Sequence, residues 1–320
     1  MDRGVAPPGS DWSEAERLRT VAARNAERAR DSIAILSTLV GETDQSLYSD
    51  VVIAQVRGLL RDAASRILRL QAEATGDRGR DDFVAEHVDG LTRLFSTDPE
   101  LIGYAQHLAL EWVAAQRLLQ RPGIDMALSP LLQELIGHSY PSVAAVAMAV
   151  LAAQTRFSQS QRRMELPLEE LSAEALKAAI GCWRRYHGGD ASDALIRAEH
   201  KLRAATDEAS TRLSLLERLC SMETRQTPAM FDVEQAGLGL FATALAFKTR
   251  QSRRVILCAC LMRPKAGLAL SLRAVGLRAS DVERQCLVFE PDMAPLRGME
   301  SVGTREALQM LSQSNPAPFA

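Results

Sequence analysis

The sequence is poor in aromatic residues and in lysine, and it is rich in residues that favour helices. Phe, Trp and Tyr account for 5% of the 320 residues, whereas apolar residues account for 47%. Alanine, leucine and arginine dominate, and these side chains lose little rotamer freedom in a helix. The composition therefore predicts an all-α fold, and the chain is long enough to bury a sizeable core.

The motifs of common enzyme and metal sites are absent. The sequence has no G-x-S-x-G nucleophile elbow, no G-x-x-x-x-G-K-S/T phosphate loop and no H-E-x-x-H zinc motif. Its five cysteines are odd in number, and Cys258 and Cys260 form a C-x-C pair without a second pair at ligand spacing. We therefore expect no catalytic residues, no metal, no cofactor and no disulfide framework.

Long apolar runs are also missing. The longest, Val143 to Ala153, is too short to cross about 30 Å of hydrocarbon. Met1 to Ser10 lacks the basic-then-apolar order of a secretory signal. These observations predict a cytoplasmic protein without a membrane span.

One short pattern resembles a nucleotide-binding turn. Residues 237–242 read GLGLFA, which matches the G-x-G-x-x-A pattern of dinucleotide-binding folds. No apolar strand precedes it, and strands do not alternate with helices around it. We therefore interpret these glycines as small residues that let two helices pack closely.

Helical periodicity runs along most of the chain and suggests two domains. Helix pairs recur near Pro99 and Pro141 at a spacing of about 40 residues, which is typical of HEAT-like or armadillo-like repeats. We predict an α-solenoid-like, HEAT-like domain followed by a smaller C-terminal helical bundle that contains one long helix over 191–221. The expected boundaries are a disordered N-terminus at 1–12, the HEAT-like domain at 13–163, a linker at 164–172, the C-terminal domain at 173–313 and a disordered tail at 314–320.

Two stretches of the chain resemble a known family. Residues 152–176 (AAQTRFSQSQRRMELPLEELSAEAL) and 268–289 (LALSLRAVGLRASDVERQCLVF) are similar to a bacterial family of all-helical proteins whose domain has no known function. The resemblance implies a helical, partly HEAT-like fold. It carries no catalytic residue to this sequence.

The most unusual segment contains no Asp or Glu from Gln235 to Ser280, although eight cations fall inside it. We call it the acid-free segment. Its cations either are solvated and paired with acidic stretches elsewhere or form a site for an acidic protein or a phosphorylated ligand, which arginine binds through bidentate hydrogen bonds. The candidate partner-binding residues are Lys248, Arg250, Arg253, Arg254, Arg263 and Lys265.

Residues 268–289 also resemble a helix-turn-helix, with Ser280 and Glu283 as a capping box at the start of the second helix. Carboxylates at Asp281 and Glu283 would repel DNA phosphates at that end, which disfavours nucleic acid as a partner. The sequence thus favours a non-enzymatic protein-interaction scaffold or regulatory component. Nucleic-acid or phosphorylated-ligand binding through the basic residues 248–278, and an enzyme with a site assembled from distant helices, stay open as alternatives.

Overall fold

The structure is a computed structural model that describes residues 14–38, 49–75, 79–188, 192–222 and 228–314. The predicted all-α class is confirmed, since the described residues contain helices and no strand. Three short 3-10 turns (Leu168–Glu170, Glu208–Ser210 and Pro228–Phe231) accompany the α-helices. The helices are α1 (Glu14–Thr38), α2 (Asp50–Thr75), α3 (Arg80–Phe95), α4 (Pro99–Gln120), α5 (Pro130–Ile136), α6 (Pro141–Arg162), α7 (Ala173–Tyr186), α8 (Asp193–Ala205), α9 (Arg212–Met222), α10 (Val233–Thr249), α11 (Arg253–Leu261), α12 (Ala266–Ala274), α13 (Ala279–Phe289) and α14 (Thr304–Ser314).

The chain divides into two compact units. The central unit comprises residues 31–243, and the terminal unit comprises residues 1–30 and 244–320. One division falls inside α1 and the other inside α10. The linker expected at 164–172 lies within the central unit, where Leu166, Leu168 and Leu171 are buried.

Helix α2 organises the central unit. It contacts α3, α4 and α8, while α6 contacts α4, α5 and α9. Apolar residues of α2 recur every three or four positions and are buried, as the amphipathic pattern requires. The helix pairs around α4 to α6 are those for which the sequence predicts HEAT-like repeats, and that repeat arrangement stays a prediction.

The terminal unit is built around α12, which contacts α11, α13 and α14. Helix α11 is buried along its whole length after its first turn. The first half of α1 joins this core, with Leu18 and Val21 packed against it. The core residues of this cluster are Ala22, Ala266, Leu270, Ala274, Val302, Ala307, Met310 and Leu311.

The long helix expected over 191–221 is wrong. It is two helices, α8 and α9, separated between Ala205 and Arg212. Thr206 donates a hydrogen bond to the Leu202 carbonyl, and Asp207 accepts one from the Ala209 amide. Short polar side chains compete with the helical hydrogen-bond ladder in this way, so two of them end the helix despite an unbroken apolar stripe.

The predicted capping box on α13 is also wrong. The N-cap of α13 is Arg278, without a side-chain cap hydrogen bond, and Ser280 lies inside the first turn. The ends that we expect to be disordered, residues 1–12 and the tail after Ser314, lie outside the described residues. Across the described ranges, no helix has the length and apolar character needed to cross a bilayer.

Candidate partner-binding site

The fold separates the eight cations of the acid-free segment into two groups. Four of them, Arg263, Lys265, Arg273 and Arg278, are engaged by groups of the terminal unit itself. The other four lie around the junction of α10 and α11, in the last turn of α10, the connection and the first turn of α11. We call this second group the cationic elbow, and it consists of Lys248, Arg250, Arg253 and Arg254.

Lys265 acts inside the fold. Its side chain is only 2% exposed, and Nζ donates to the carbonyl oxygens of Cys260 and Met262 at 2.8 and 2.9 Å. These carbonyls belong to the last turn of α11 and the residue after it, where helical acceptors have no partner within the helix. A lysine at this position satisfies them and complements the negative end of the helix dipole.

Arg263 pairs with a distant carboxylate. Its guanidinium donates two hydrogen bonds to Glu290, one of them from Nε at 2.7 Å. The Glu290 side chain is 8% exposed and that of Arg263 is 70% exposed, so the carboxylate is enclosed while the cation faces solvent. The structure therefore places Arg263 at the surface with part of its hydrogen-bonding capacity already used.

The other two cations of this first group, Arg273 and Arg278, bind groups close to them in the terminal unit. Arg273 donates to the carbonyl oxygens of Val302 and Leu277, which lie at the ends of loops around α12. Arg278 donates to the carboxylate of Asp281 at 3.2 Å. In the second half of the acid-free segment, Lys265 and Arg273 bind backbone carbonyls, whereas Arg263 and Arg278 form ion pairs at the surface.

Backbone geometry defines the cationic elbow. Helix α10 ends at Thr249, and Arg250 adopts a left-handed conformation with φ of 55°. The amide of Gln251 donates to the carbonyl of Ala246 at 3.2 Å, which closes a Schellman motif. The side chain of Ser252 then accepts from the Val255 amide and caps α11.

The cations of the elbow differ from the other four in their exposure and in their partners. Lys248 and Arg250 are exposed, and neither has an ion-pair partner within the described part of the chain. Arg253 and Arg254 are half-buried in the first turn of α11. Nη1 of Arg254 is enclosed by the fold and makes no hydrogen bond to any described residue.

An aromatic side chain lies beside these charges. Phe247, in the last turn of α10, is 57% exposed, whereas Phe241 in the same helix is fully buried. Aromatic residues and arginine are enriched at the centres of protein interfaces. The elbow therefore combines an apolar anchor with four positive charges over eight consecutive positions, 247–254.

The glycines of the GLGLFA pattern serve helix packing. A Cβ at Gly237 would lie 3.0 Å from Cβ of Ser129, and one at Gly239 would lie 2.3 Å from Nε2 of Gln154. The positive φ of 67° at Gly237 favours glycine whatever the space, and a Cβ at Gly239 would displace the side-chain amide of Gln154. The pattern therefore has the structural role that the sequence favours.

A buried polar network in the central unit extends from Gln154. Arg212 is almost fully buried and donates two hydrogen bonds to Glu111 at 2.8 and 2.6 Å and a third to Gln154 at 2.8 Å. Its guanidinium carbon also lies 3.8 Å from the ring centroid of Phe157. Burial opposes the charged form, but the pairing with Glu111 outweighs it and raises the pKa of Arg212.

This network borders a cavity of about 230 Å³ lined by Tyr104, Phe157 and several charged residues. A site assembled from distant helices would be expected in such a place if the protein were an enzyme. Each arginine of the lining has an ion-pair partner: Arg66 and Arg163 share Glu165, Arg156 lies 3.9 Å from Glu170, and Arg212 pairs with Glu111. The cavity therefore lies at the edge of the hydrogen-bonded network around Arg212.

The cysteines of the described residues serve as buried apolar side chains. All five cysteines are free and buried, and burial raises the pKa of Cys258, Cys260 and Cys286 to about 12. Buried thiols of this kind stay protonated and behave as small apolar side chains. Within the described ranges, no group of His, Cys, Asp and Glu is arranged to hold a metal ion.

The fold class and the candidate surface define an all-helical protein of two compact units. No family model, no curated protein and no solved structure matches the chain. The family resemblance predicted from residues 152–176 and 268–289 stays a prediction, and the function rests on the physical chemistry of the site.

Proposed function

We propose that this chain is a non-enzymatic helical binding protein, a scaffold or regulatory component, that captures an acidic segment of another protein at the cationic elbow. The observation that carries the proposal is the division of the acid-free segment. Lys265 and Arg273 donate to backbone carbonyls and Arg263 and Arg278 pair with carboxylates of the terminal unit, whereas Lys248 and Arg250 are exposed without an ion pair among described residues.

The chemistry of the elbow suits carboxylates and phosphorylated side chains. Arginine forms bidentate hydrogen bonds with both groups, and the amino end of α11 adds a partial positive charge. Phe247 offers an apolar surface next to these donors. A protein segment that carries acidic residues beside an apolar side chain would use all of these features together.

Nucleic acid is the second candidate, because single strands also combine phosphates with stacked bases. Binders of single strands present successive aromatic residues, but Phe247 is the one exposed aromatic residue of the acid-free segment. At the start of α13, the Arg278 guanidinium is already paired with Asp281. These features favour a protein partner, and we place the binding event in the cytoplasm.

The test measures binding of a fluorescein-labelled oligoglutamate peptide and its phosphoserine counterpart by fluorescence anisotropy over a series of salt concentrations. Lys248→Glu and the double variant Arg253→Glu/Arg254→Glu should weaken binding and flatten its salt dependence. The matched control, Arg218→Glu/Arg305→Glu, reverses two exposed cations elsewhere and should bind as the unmodified protein does.

Equal affinity in the elbow and control variants would overturn the proposal. A labelled single-stranded oligodeoxynucleotide is the third probe. If it binds more tightly than both peptides and loses its affinity in the elbow variants, the nucleic-acid alternative replaces the acidic protein.

A further inference from the structure

A second surface of the terminal unit lies at the other end of α11. It is a groove with a cavity volume of about 800 Å³, bounded by α1, by the turn between α11 and α12, and by the loop between α13 and α14. Its apolar lining comprises Leu18, Val21, Pro264, Met293, Pro295 and Leu296. We call it the terminal-unit groove.

The charges around the groove are mostly positive. Arg17 and Arg297 are exposed and line the groove, and neither forms an ion pair with a described residue. Arg263 adds a third guanidinium, whose partner Glu290 is enclosed. Asp292 is the one exposed carboxylate of the lining. The groove is therefore complementary to an occupant that combines apolar groups with negative charge.

One wall of the groove is an irregular loop, residues 290–303. Loops that exceed about a dozen residues without secondary structure are uncommon in compact domains, and they frequently form binding sites. Pro291 and Pro295 limit the conformations of this loop before any ligand arrives. Restricting a binding loop in advance reduces the entropy lost on association.

From these observations we infer that the terminal-unit groove docks a short peptide segment of a partner protein, one that carries large apolar side chains and at least one carboxylate. Pro264, Ala294 and Pro295 line the groove and are themselves exposed, so the groove is open along one side. Small-molecule sites enclose about 70–90% of their ligand, whereas a peptide needs contact along only one face.

This inference does not depend on the cationic elbow. The elbow lies at the amino end of α11, and Arg263 follows its carboxyl end, which places the two about 15 Å apart at 1.5 Å per helical residue. Helix α11 itself is buried between them. Each surface can therefore be disabled without altering the other.

The experiment selects peptides from a displayed random library against the full-length protein. The selected sequences should be enriched in leucine, isoleucine or phenylalanine together with Asp or Glu. Their affinity should fall by about tenfold in Arg17→Glu/Arg297→Glu, because two exposed charge pairs become repulsive. Leu296→Ala tests the apolar contact separately and should also weaken binding.

Two measurements locate the bound peptide. Hydrogen exchange in residues 290–303 should slow when a selected peptide is added, and Arg253→Glu/Arg254→Glu should leave the affinity unchanged. No enrichment, or enriched peptides that bind the groove variants and the unmodified protein equally well, would overturn the inference. Enriched peptides that lose affinity only in the elbow variants would assign the binding to the elbow and would likewise overturn it.

Discussion

Replacing Arg250 with glycine should raise the stability of the terminal unit and lower its affinity for acidic peptides. Arg250 occupies the residue after α10 in a left-handed conformation, with φ of 55°, where glycine is the usual choice. A residue with a Cβ costs about 1–2 kcal/mol in that conformation. Relief of this strain stabilises the fold, but the greater conformational freedom of glycine in the unfolded chain offsets about 0.4–1 kcal/mol of that stabilisation. With the middle of both ranges, the net stabilisation expected from Arg250→Gly is about 0.8 kcal/mol.

The effect on binding has the opposite sign. Arg250 is exposed and makes no ion pair within the described part of the chain, so the fold loses no charge contact when it is replaced. An exposed ion pair with a bound carboxylate contributes about 0.2–1 kcal/mol, and its removal should weaken peptide binding up to about fivefold. A variant that merely disrupted the fold could not be more stable and bind less tightly.

Two assays separate these effects. Hydrogen exchange measured by mass spectrometry reports the local opening free energy of α10 and α11 and should slow by about two- to fivefold in Arg250→Gly. Fluorescence anisotropy with the oligoglutamate peptide reports affinity. Arg305→Gln removes an exposed cation from α14 and should change neither. Faster exchange in Arg250→Gly would refute the conformational reasoning, and unchanged affinity would remove Arg250 from the site.

The central unit supports two further predictions. Arg212→Met should lower the free energy of unfolding by about 3–5 kcal/mol because it removes the cation that pairs with the buried Glu111 carboxylate, whereas Arg212→Met/Glu111→Leu should recover most of that loss. Chemical denaturation followed by circular dichroism measures both, and a single-variant loss below about 1 kcal/mol would show that water solvates the carboxylate. Burial, followed by repulsion from His87, lowers the pKa of His187, so the folded state favours the neutral imidazole. The unfolded chain takes up a proton at His187 as the pH falls below about 6.5, the ordinary pKa of histidine, before the folded state does. The contribution of His187 to stability is therefore lost below that pH. His187→Gln should consequently lose less stability than the unmodified protein between pH 7.5 and pH 5.5 in thermal unfolding, and equal losses would contradict the assignment.

The all-α class could be predicted from the sequence because composition and apolar periodicity act locally and agree along most of the chain. The break between α8 and α9 could not be predicted by periodicity alone. Thr206 and Asp207 form hydrogen bonds with nearby backbone groups, and these local bonds override an apolar stripe that continues past them. The three consecutive polar residues at 206–208 were the sequence feature that indicated the break.

The candidate site was predictable only in part, for a different physical reason. The absence of acidic residues from 235 to 280 correctly marks where cations concentrate, but pairing partners come from outside that window. Glu290 engages Arg263 across 27 positions, and Val302 accepts from Arg273 across 29. Contacts at such separations depend on how α12 packs against its neighbours, which the local pattern does not contain. For the same reason, the local pattern does not predict that Arg17 and Arg297, at opposite ends of the chain, line one groove.

The lack of Asp and Glu in the second half of the acid-free segment has a structural cause. Lys265 donates to carbonyl oxygens at the carboxyl end of α11, where a carboxylate would face the negative end of the helix dipole, and Arg273 donates to the loop carbonyls of Val302 and Leu277. The fold therefore selects cations there whether or not a partner exists. The same account does not cover Lys248 and Arg250, which have no such acceptor among the described residues. Charge reversal at Lys248 or Arg250 therefore addresses binding, whereas charge reversal at Lys265 addresses stability.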